Sequence, residues 1–244
     1  MRVEVSEHIP DEIKKALNIE TEELKEIFAR EAIKFLKEKY EKEEKLGRGN
    51  IGEVWYASAK RFGCNVCVKN NYRPEVSMNS LEKEYYIQTD FYEAGGRTPL
   101  PFMYIEGDGD DNLEKLMVME TVDGSNFEEY IDRLKDKDEK IKKEDFDNII
   151  EDLKKQIKIA HQAGVYHRDL DFKNVMIDSE NKVYLIDFGE SKKTRLSGDE
   201  DEIYTQEVIR NGQRITEKLP KDDDFIRKLK IKFNQEGLIE RNLT

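Results

Sequence analysis

The sequence has few cysteines, histidines and prolines. Its two cysteines, Cys64 and Cys67, form a single Cys-x-x-Cys pair, and its only histidines are His8, His161 and His167. A structural zinc site needs a second pair of ligands beside such a motif. The sequence does not offer that pair, so we interpret both cysteines as ordinary strand residues.

The sequence also lacks a long apolar segment. No run approaches the roughly 18 apolar residues that span a bilayer, and the first residues lack the apolar stretch of a signal peptide. We therefore expect a cytoplasmic protein with no membrane segment. The formal net charge of -12 disfavours broad binding to nucleic acid or to anionic lipid, because like charges repel.

The patterns that are present are typical of an α+β chain in two lobes. A chain of 244 residues, of which 37% are hydrophobic, is long enough to bury a core. β-branched and aromatic segments dominate the first half, and the second half is mainly helical in pattern. The predicted elements are helices at 79–93, 143–164 and 222–233 and strands at 53–59, 65–69, 115–122, 175–178 and 183–187.

Residues 1–44 form the first of three predicted segments, and the others are 45–121 and 122–244. The first segment is charged and helical in pattern, with Thr21 as the expected helix cap. Apolar residues then recur at three- and four-residue steps as far as Tyr40, which gives one apolar stripe. Two interpretations stay open: the stripe docks on the following domain, or it is a surface for a partner protein.

A glycine-rich motif, Leu-Gly-Arg-Gly-Asn-Ile-Gly-Glu-Val, begins at Leu46. Gly47, Gly49 and Gly52 let backbone N–H groups approach phosphate oxygens without a Cβ in the way. Dinucleotide-binding folds share this spacing, but they begin a helix at this point. Here a predicted strand continues from Val54, so a glycine-rich flap in a β-hairpin fits better.

Lys69 ends an apolar strand that follows the glycines. Such a lysine is either an edge residue with its ammonium group in solvent or a ligand of the α- and β-phosphates of a nucleotide. The second role needs a carboxylate that holds the ammonium group in place. The next predicted helix offers Glu82 and Glu84, of which we prefer Glu84.

Polar residues suited to phosphoryl transfer follow a predicted helix end at Gly164. A His-Arg-Asp motif ends at Asp169, Asn174 follows it, and an Asp-Phe-Gly motif begins at Asp187 after an apolar strand. Phosphoryl transfer requires metal ions at the phosphates and a carboxylate that orients the incoming hydroxyl. Asn174 and Asp187 carry oxygen ligands suited to Mg²⁺, and Asp169 is the predicted base.

Together these motifs resemble the signature set of protein kinases, in the order that this family shows over residues 46–189. The resemblance implies a bilobal fold, with a β-rich N-lobe at 45–121 and a short, mainly α C-lobe at 122–244. It implies ATP and Mg²⁺ as cofactors. It also implies an adenine pocket, formed by Val54, Cys67, Met119, Glu120, Val122 and Met176.

Within that implied pocket, Met119 would be the gatekeeper before the hinge between the lobes. The carbonyl of Glu120 would accept a hydrogen bond from the adenine amine, and the Val122 N–H would donate one to the ring. The other three residues would cover the adenine from above and below.

The sequence departs from the full kinase pattern after Gly189. Only 55 residues follow (244 minus 189), and they contain no Ala-Pro-Glu motif. We therefore expect a truncated C-lobe, similar in size to the RIO kinases and to the kinase of the KEOPS complex. Asp171 stands where the family carries a lysine, and Gln88 stands where it stacks an apolar residue, which keeps Glu82 open as the partner of Lys69.

Arg168 of the His-Arg-Asp motif pairs with a phosphorylated activation segment in full-length kinases. The resemblance therefore implies candidate phosphosites in the segment that follows Gly189. They are Thr194, Ser197, Tyr204 and Thr205.

The predicted activity is transfer of the γ-phosphoryl group of ATP to Ser or Thr hydroxyls of a protein substrate, including the chain itself. One alternative is a small-molecule phosphotransferase or an ATPase that drives a partner. Another is a non-catalytic pseudokinase, a binding module whose N-terminal helix engages a partner.

Overall fold

The computed structural model of the protein describes residues 1–42, 53–70, 81–108, 115–194, 205–210, 213–218 and 221–240. The chain divides into two compact units. The first comprises Met1–Thr89 and Pro99–Val122, and the second comprises Asp90–Thr98 and Asp123–Thr244. A five-stranded sheet forms the centre of the first unit, and three helices of ten or more residues lie in the described part of the second. The predicted α+β class is confirmed.

The first unit contains strands β1 (Arg2–Val5), β2 (Glu53–Ala57), β3 (Val66–Asn70), β4 (Pro101–Glu106) and β5 (Lys115–Glu120) and helices α1 (Asp11–Leu17), α2 (Glu22–Lys42), α3 (Ala59–Phe62) and most of α4 (Leu81–Glu93). The strands form one antiparallel sheet in the order β1-β4-β5-β3-β2. β-branched and aromatic residues favour a pleated, half-buried surface of this kind. The predicted β2, β3, β5 and α4 are confirmed, with ends that differ by at most two residues.

The helical prediction for residues 1–44 is wrong at its start, where Arg2–Val5 form strand β1. All four residues pair antiparallel with β4. Val3 and Val5 are β-branched, but four residues are too few for a period to be read from sequence. The sheet edge that they meet, far away in the chain, decides their conformation. The predicted boundary after residue 44 lies outside the described residues.

Helix α2 carries the predicted apolar stripe. Thr21 caps the helix, because its Oγ1 accepts a hydrogen bond from Leu24 N at 3.3 Å. The rings of Phe28 and Phe35 contact Phe62 of α3, with centroids 5.1 and 5.6 Å apart. The side chains of the stripe that are at most 5% exposed are Phe28, Ala32, Phe35 and Leu36. The stripe therefore docks within its own unit, as the first interpretation predicted.

The second unit contains strands β6 (Gly124–Asn126), β7 (Val165–Tyr166), β8 (Val175–Asp178), β9 (Val183–Leu185), β10 (Lys192–Lys193), β11 (Thr205–Arg210) and β12 (Gln213–Lys218) and helices α5 (Phe127–Asp136), α6 (Lys143–Gln162) and α7 (Asp222–Gln235). The predicted α6, α7, β8 and β9 are confirmed. Strands β6, β8 and β9 form a three-stranded sheet, and β7 pairs with β10. Strands β11 and β12 pair with each other in an antiparallel hairpin that was not predicted.

Helix α6 ends where the sequence predicts, before Gly164. Gly164 has φ 71°, the left-handed conformation that favours glycine. A Cβ at this position would lie 2.2 Å from the carbonyl oxygen of Thr194, so only glycine fits. The apolar face of α6 packs on α7, where the rings of Phe146 and Phe233 have centroids 4.7 Å apart.

Arg97 joins helix α6 to strand β9. Its guanidinium donates to both carboxylate oxygens of Asp152 on α6, at 2.5 and 2.6 Å, and to the carbonyl of Val183 at 3.1 Å. Asp152 also accepts from Val183 N at 2.9 Å, and the Arg97 carbonyl accepts from Leu185 N at 3.0 Å. The Arg97 N–H donates to Gln156 Oε1 at 2.8 Å. This network fixes the strand that leads directly into the Asp-Phe-Gly motif.

We expect Arg97→Ala to lower the free energy of unfolding by about 2 kcal/mol, because Asp152 then keeps a largely buried carboxylate without its bidentate partner. Both side chains are partly screened by solvent, at 28% and 18% exposure, so the effect stays below that of a fully buried pair. Urea unfolding measures it. The control is Lys154→Ala, which removes an exposed pair with Glu151 on the same helix and should change stability by under about 0.5 kcal/mol. Equal effects of the two changes would contradict the structural role of Arg97.

Candidate active site

Four of the predicted site residues in the first unit lie on one face of the five-stranded sheet. The strand register pairs Val54 with Lys69, Lys69 with Met117, and Cys67 with Met119. Directly paired residues, and residues two apart along a strand, lie on the same face of a sheet. Val54, Cys67, Lys69 and Met119 therefore share one face.

Glu84 of helix α4 holds Lys69. The Lys69 Nζ lies 2.5 Å from Glu84 Oε1, and the two side chains are 7% and 2% exposed. A buried pair of this kind positions the ammonium group more than it stabilises the fold, because desolvation opposes the Coulomb attraction. Glu82, the other candidate, lies 2.7 Å from an Arg2 guanidinium nitrogen instead. The geometry thus agrees with the preference for Glu84, whose role towards ATP stays a prediction.

Three of the predicted adenine-pocket residues pack into one apolar cluster. Val54 and Cys67 lie against buried Met119 and its neighbours, which are Leu81, Tyr85, Tyr104 and Met117. Burial raises the pKa of the Cys67 thiol, and Cys67 Sγ lies 3.9 Å from Thr121 Oγ1. Cys67 is a strand residue as predicted. The prediction is wrong for Cys64, which lies in the bend between α3 and β3, directly after Gly63 ends the helix with φ 80°. Both thiols are free of a disulfide.

Glu120 and Val122 lie at and just beyond the end of β5. Glu120 N donates to the Leu100 carbonyl at 2.9 Å, and Glu120 Oε2 accepts from Leu100 N at 3.1 Å. These two bonds fix the backbone at the place where the resemblance puts the adenine contacts. Met176, the sixth predicted pocket residue, lies half-buried on β8 of the second unit. Adenine binding by these residues stays a prediction.

Gln88 is buried, at 1% exposure, although the family places an apolar residue there. Its Nε2 donates to the Pro99 carbonyl at 2.6 Å and lies 4.0 Å from Met119 Sδ. Buried amides require such a partner. The hydrogen bond to Pro99 therefore satisfies the buried amide of Gln88. Gln88 does not prevent Glu84 from pairing with Lys69.

Asp169 and Asn174 are joined within the second unit. Asn174 Nδ2 donates to the Asp169 carbonyl at 2.8 Å and to Asp169 Oδ2 at 3.0 Å. The Asn174 carbonyl accepts from Ile186 N at 3.0 Å, which links the loop to the residue before Asp187. Asn174 thus orients the Asp169 carboxylate with its amide nitrogen and offers its amide oxygen as a ligand atom.

Burial raises the pKa of the Asp169 carboxyl group, and the nearby charges of Asp187 and Asp171 raise it further. His167 and the hydrogen bond from Asn174 act in the opposite direction and do not cancel these effects. Asp187 and Asp171 therefore both repel the Asp169 carboxylate. A cation bound near this loop would offset that repulsion.

The backbone is strained at Arg168 and Asp187, which have φ values of 68° and 61°. Residues other than glycine adopt this left-handed region at a cost of about 1 kcal/mol or more, and such outliers cluster at functional sites. Arg168 Nη1 donates to the Glu190 carbonyl at 3.3 Å, and Gly189 N donates weakly to Asp187 Oδ1 at 3.4 Å. The strain therefore coincides with two of the predicted motifs.

Phe188, between Asp187 and Gly189, is 1% exposed. Its ring contacts Phe91, with centroids 5.5 Å apart, and His167, at 4.9 Å. His167 Nε2 lies 2.9 Å from the Ile186 carbonyl. The His-Arg-Asp and Asp-Phe-Gly motifs thus contact each other directly.

Asp222, at the start of α7, anchors the same loop and was not predicted. It is 2% exposed. Its carboxylate accepts hydrogen bonds from His167 N at 2.9 Å and Arg168 N at 2.8 Å, and His161 Nε2 lies 2.9 Å from Oδ2. The sequence signal was the acidic run at 222–224, which sequence reasoning reads as ordinary helix N-terminal charge. Tertiary contact alone singles out the first of the three acids.

We expect Asp222→Asn to lower the free energy of unfolding by about 2–3 kcal/mol, because the new amide nitrogen faces a buried N–H donor. Chemical denaturation measures the change. Asp223→Asn is the matched control, since Asp223 is the next residue and is exposed. A comparable loss in both variants would contradict the anchoring role of Asp222.

The Asp222 variant should also show a changed pH dependence. Burial acts to raise the pKa of Asp222, but the hydrogen bond to His161, the charge of His167 and the two backbone N–H groups hold it below its ordinary value of 3.8. A lowered pKa means that the unfolded chain binds the proton first, so acid favours unfolding. The stability gap between wild type and Asp222→Asn should therefore be full above about pH 5 and shrink as the pH falls below about 4. Unfolding curves across that range measure it, and a gap that does not change with pH would contradict it.

Across the described ranges, no helix combines the length and apolarity that a membrane span requires. In those same ranges, no three side chains of His, Cys, Asp or Glu form a group that could hold a metal ion by themselves. A metal that acts in phosphoryl transfer also takes phosphate oxygens as ligands, so it needs fewer from the protein.

Several predicted residues lie outside the described part of the chain. They are Gly47, Gly49, Gly52, Ser197 and Tyr204. Of the remaining candidate phosphosites, Thr194 donates its N–H to the Gly164 carbonyl at 2.9 Å, and Thr205 begins β11. Phosphorylation of these residues stays a prediction.

A family model described as "Protein kinase domain" matches residues 40–211 of the chain. The match covers well over half of the sequence and includes all of the motifs described above. The chain belongs to the protein kinase domain family.

Curated relatives agree with this family. The chain is 43% identical over 89 residues to the probable serine/threonine-protein kinase fnkB of Dictyostelium discoideum, which covers 36% of this chain and 16% of that protein. It is 27% identical over 154 residues to mkcB, a probable serine/threonine-protein kinase of the same organism. That match covers 63% of this chain and 20% of mkcB. It is 25% identical over 178 residues to calcium-dependent protein kinase 22 of Arabidopsis thaliana. That match covers 71% of this chain and 35% of the plant protein. The chain thus spans about a sixth to a third of the length of these relatives.

Proposed function

We propose that this protein is an ATP- and Mg²⁺-dependent protein kinase that phosphorylates Ser or Thr hydroxyls, its own included. The observation that carries the proposal is a complete set of phosphoryl-transfer residues in a chain of the protein kinase domain family. That set comprises Lys69, Glu84, Asp169, Asn174 and Asp187.

In the first unit, Lys69 binds the α- and β-phosphates of ATP. Glu84 holds the ammonium group in one position through the 2.5 Å ion pair, so little side-chain entropy is lost when the nucleotide binds. Val54, Cys67 and Met119 provide the apolar wall against the adenine, and they already pack in one cluster. The glycine-rich loop contributes backbone N–H groups to the phosphates.

In the second unit, Asn174 and Asp187 hold Mg²⁺. Three observations support this fit. The hydrogen bonds of Asn174 leave its amide oxygen as a ligand atom, and Asp187 is a carboxylate. The pKa of Asp169 is raised mainly by burial and further by the charges of Asp187 and Asp171, so a nearby cation would be favoured. Oxygen ligands are those that Mg²⁺ prefers. When bound, Mg²⁺ neutralises charge on the phosphate oxygens.

Asp169 orients the acceptor hydroxyl and takes up its proton. The hydroxyl oxygen forms a bond to the γ-phosphorus while the bond from that phosphorus to the β–γ bridging oxygen breaks, and ADP leaves with the electron pair. Asn174 fixes the carboxylate that receives the proton. The raised pKa of Asp169 makes it a better proton acceptor than an ordinary aspartate.

The acceptor class rests on the relatives, whose names describe serine/threonine-protein kinases. A small-molecule phosphotransferase is the second candidate, because no Ala-Pro-Glu motif follows the Asp-Phe-Gly motif. The two candidates differ in their products, which are a phosphorylated protein and a phosphorylated small molecule. A pseudokinase would bind MgATP and form neither product.

The test is mass spectrometry of the purified protein after incubation with MgATP, in parallel with generic protein substrates and a panel of sugars and aminoglycosides. Phosphate on Ser or Thr of the chain or of a protein substrate is the expected result. Label in small molecules alone would favour the second candidate. A thermal shift with MgATP but no product of any kind would identify a pseudokinase and refute the proposed activity.

A further inference from the structure

Two glutamates in the first turn of helix α4 form ion pairs with cations on different strands of the sheet, and one of these two pairs belongs to the proposed ATP site. Glu84 pairs with Lys69 of β3 at 2.5 Å. Glu82, two residues earlier, pairs with Arg2 of β1 at 2.7 Å. The Arg2 guanidinium also donates to the hydroxyl of Tyr86 on the same helix, at 3.3 Å. Arg2 of strand β1 therefore contacts two residues of α4, Glu82 and Tyr86.

The two carboxylates leave the helix on different sides. Residues two apart on an α-helix are separated by about 200° around its axis. Their partners stand on strands that are separated by β4 and β5 in the sheet order, a distance of about 14 Å at three strand spacings. A rotation of α4 about its axis that broke one pair would break the other as well.

One row of paired residues crosses the whole sheet beneath this helix. It runs from β1 to β2 through Glu4, Tyr104, Met117, Lys69 and Val54. Tyr104 contacts Tyr85 of α4, with ring centroids 6.2 Å apart. Arg2, two residues before Glu4, is on the same face as Lys69. Both cations thus project from the face on which α4 lies.

The sheet, and not the helix, holds Arg2 in place. All four residues of β1 pair with β4, and Ser6 N donates to the Phe102 carbonyl at 3.0 Å directly after the strand. Arg2 Nε also donates to Glu4 Oε1 at 3.1 Å, which orients the guanidinium along the strand. A side chain fixed in this way can act as a stop for a neighbouring helix.

We infer that Arg2 is a positioning residue: by holding Glu82 it sets the rotation of α4, and so keeps Glu84 on Lys69. The inference rests on the proposed function, because its consequence is the placement of the ATP-binding lysine. The contact is partly exposed, at 45% for Arg2 and 33% for Glu82, so it biases the helix and does not lock it.

Charge reversal tests the inference. Arg2→Glu places a third carboxylate beside Glu4 and Glu82, and we expect it to raise the KM for ATP and lower kcat/KM about three- to tenfold. The double variant R2E/E82R restores an opposite-charge pair and should return kcat/KM to within about two- to threefold of wild type. Arg2→Lys keeps the charge and should retain most of the activity.

Hydrogen exchange of the α4 amides is the second readout. We expect faster exchange of these amides in Arg2→Glu and recovery in R2E/E82R, while the amides of α6 in the second unit stay unchanged. This readout does not require activity. If wild type transfers no phosphate, the proposed function fails, and exchange alone still decides whether Arg2 holds the helix.

The matched control is Glu38→Arg, which reverses a helix carboxylate paired with Arg61 at 2.6 Å, also in the first unit and similarly exposed at 39%. It should leave the KM for ATP and the exchange of α4 unchanged. If Arg2→Glu does not fold, Arg2→Ala replaces it with the same expected direction. Three results would each overturn the inference: unchanged α4 exchange in Arg2→Glu or its replacement Arg2→Ala, a loss of kcat/KM that R2E/E82R does not repair, or an equal rise of the KM for ATP in Glu38→Arg.

Discussion

Asp169→Asn is expected to lower the rate of phosphoryl transfer about 10²–10⁴-fold, the contribution typical of a positioned acid–base group. The asparagine keeps the shape of the side chain and an amide oxygen for the 3.0 Å hydrogen bond from Asn174. It cannot accept the proton of the incoming hydroxyl. The change therefore separates proton acceptance from the geometry of the loop.

Single-turnover label transfer from radiolabelled ATP measures the effect, and a thermal shift with MgATP checks that binding is retained. Asp171→Asn is the control, because Asp171 is an exposed carboxylate in the same loop. It should change the rate by less than about tenfold, the effect of one charge removed near the site. If Asp169→Asn transferred label as fast as wild type, Asp169 would not be the proton acceptor.

Asp187→Ala is expected to lower the rate about 10²–10³-fold, which corresponds to the loss of one preorganised electrostatic contact to the reacting phosphate. The alanine removes the proposed metal ligand, whereas Asn174 and Asp169 keep their mutual hydrogen bonds at 2.8 and 3.0 Å. The thermal shift produced by MgATP should shrink towards that produced by ATP alone.

Incubation of wild type and Asp187→Ala with radiolabelled ATP over a range of Mg²⁺ concentrations measures this prediction. The control is Glu180→Ala, an exposed carboxylate in the turn between β8 and β9, whose loss should leave the rate unchanged. Equal label transfer by wild type and Asp187→Ala would refute the role assigned to Asp187. A rate that recovers at high Mg²⁺ supports it, because a missing ligand weakens metal binding.

The chemistry of the site could be predicted because most of its residues lie in short sequence motifs. The Asp169–Asn174 contact joins residues five apart, and its spacing within one loop is visible in the sequence. Lys69 needed a carboxylate from the next helix, and Glu84 provides it at 2.5 Å. Helix α2 was predicted from its cap and its apolar stripe, which are also local signals.

The residues that sequence reasoning missed act across long separations. Strand β1 has no periodicity long enough to be recognised, and it becomes a strand because β4 offers an edge. Asp222 resembles its two acidic neighbours in every local respect, and only the approach of His167 N and Arg168 N distinguishes it. Glu82 is as close in sequence to Lys69 as a partner needs to be, but it pairs with Arg2, which is 80 residues away in the chain.

The family, the catalytic motifs and most helices and strands follow from the order of residues along the chain, because each depends on neighbours within a few positions. Folding was required to decide which of two glutamates faces Lys69, which of three aspartates supports the His-Arg-Asp motif, and what conformation the first residues adopt. These choices depend on backbone N–H groups and charges that are distant in sequence. A local pattern does not encode such partners, whereas packing brings them within hydrogen-bond distance.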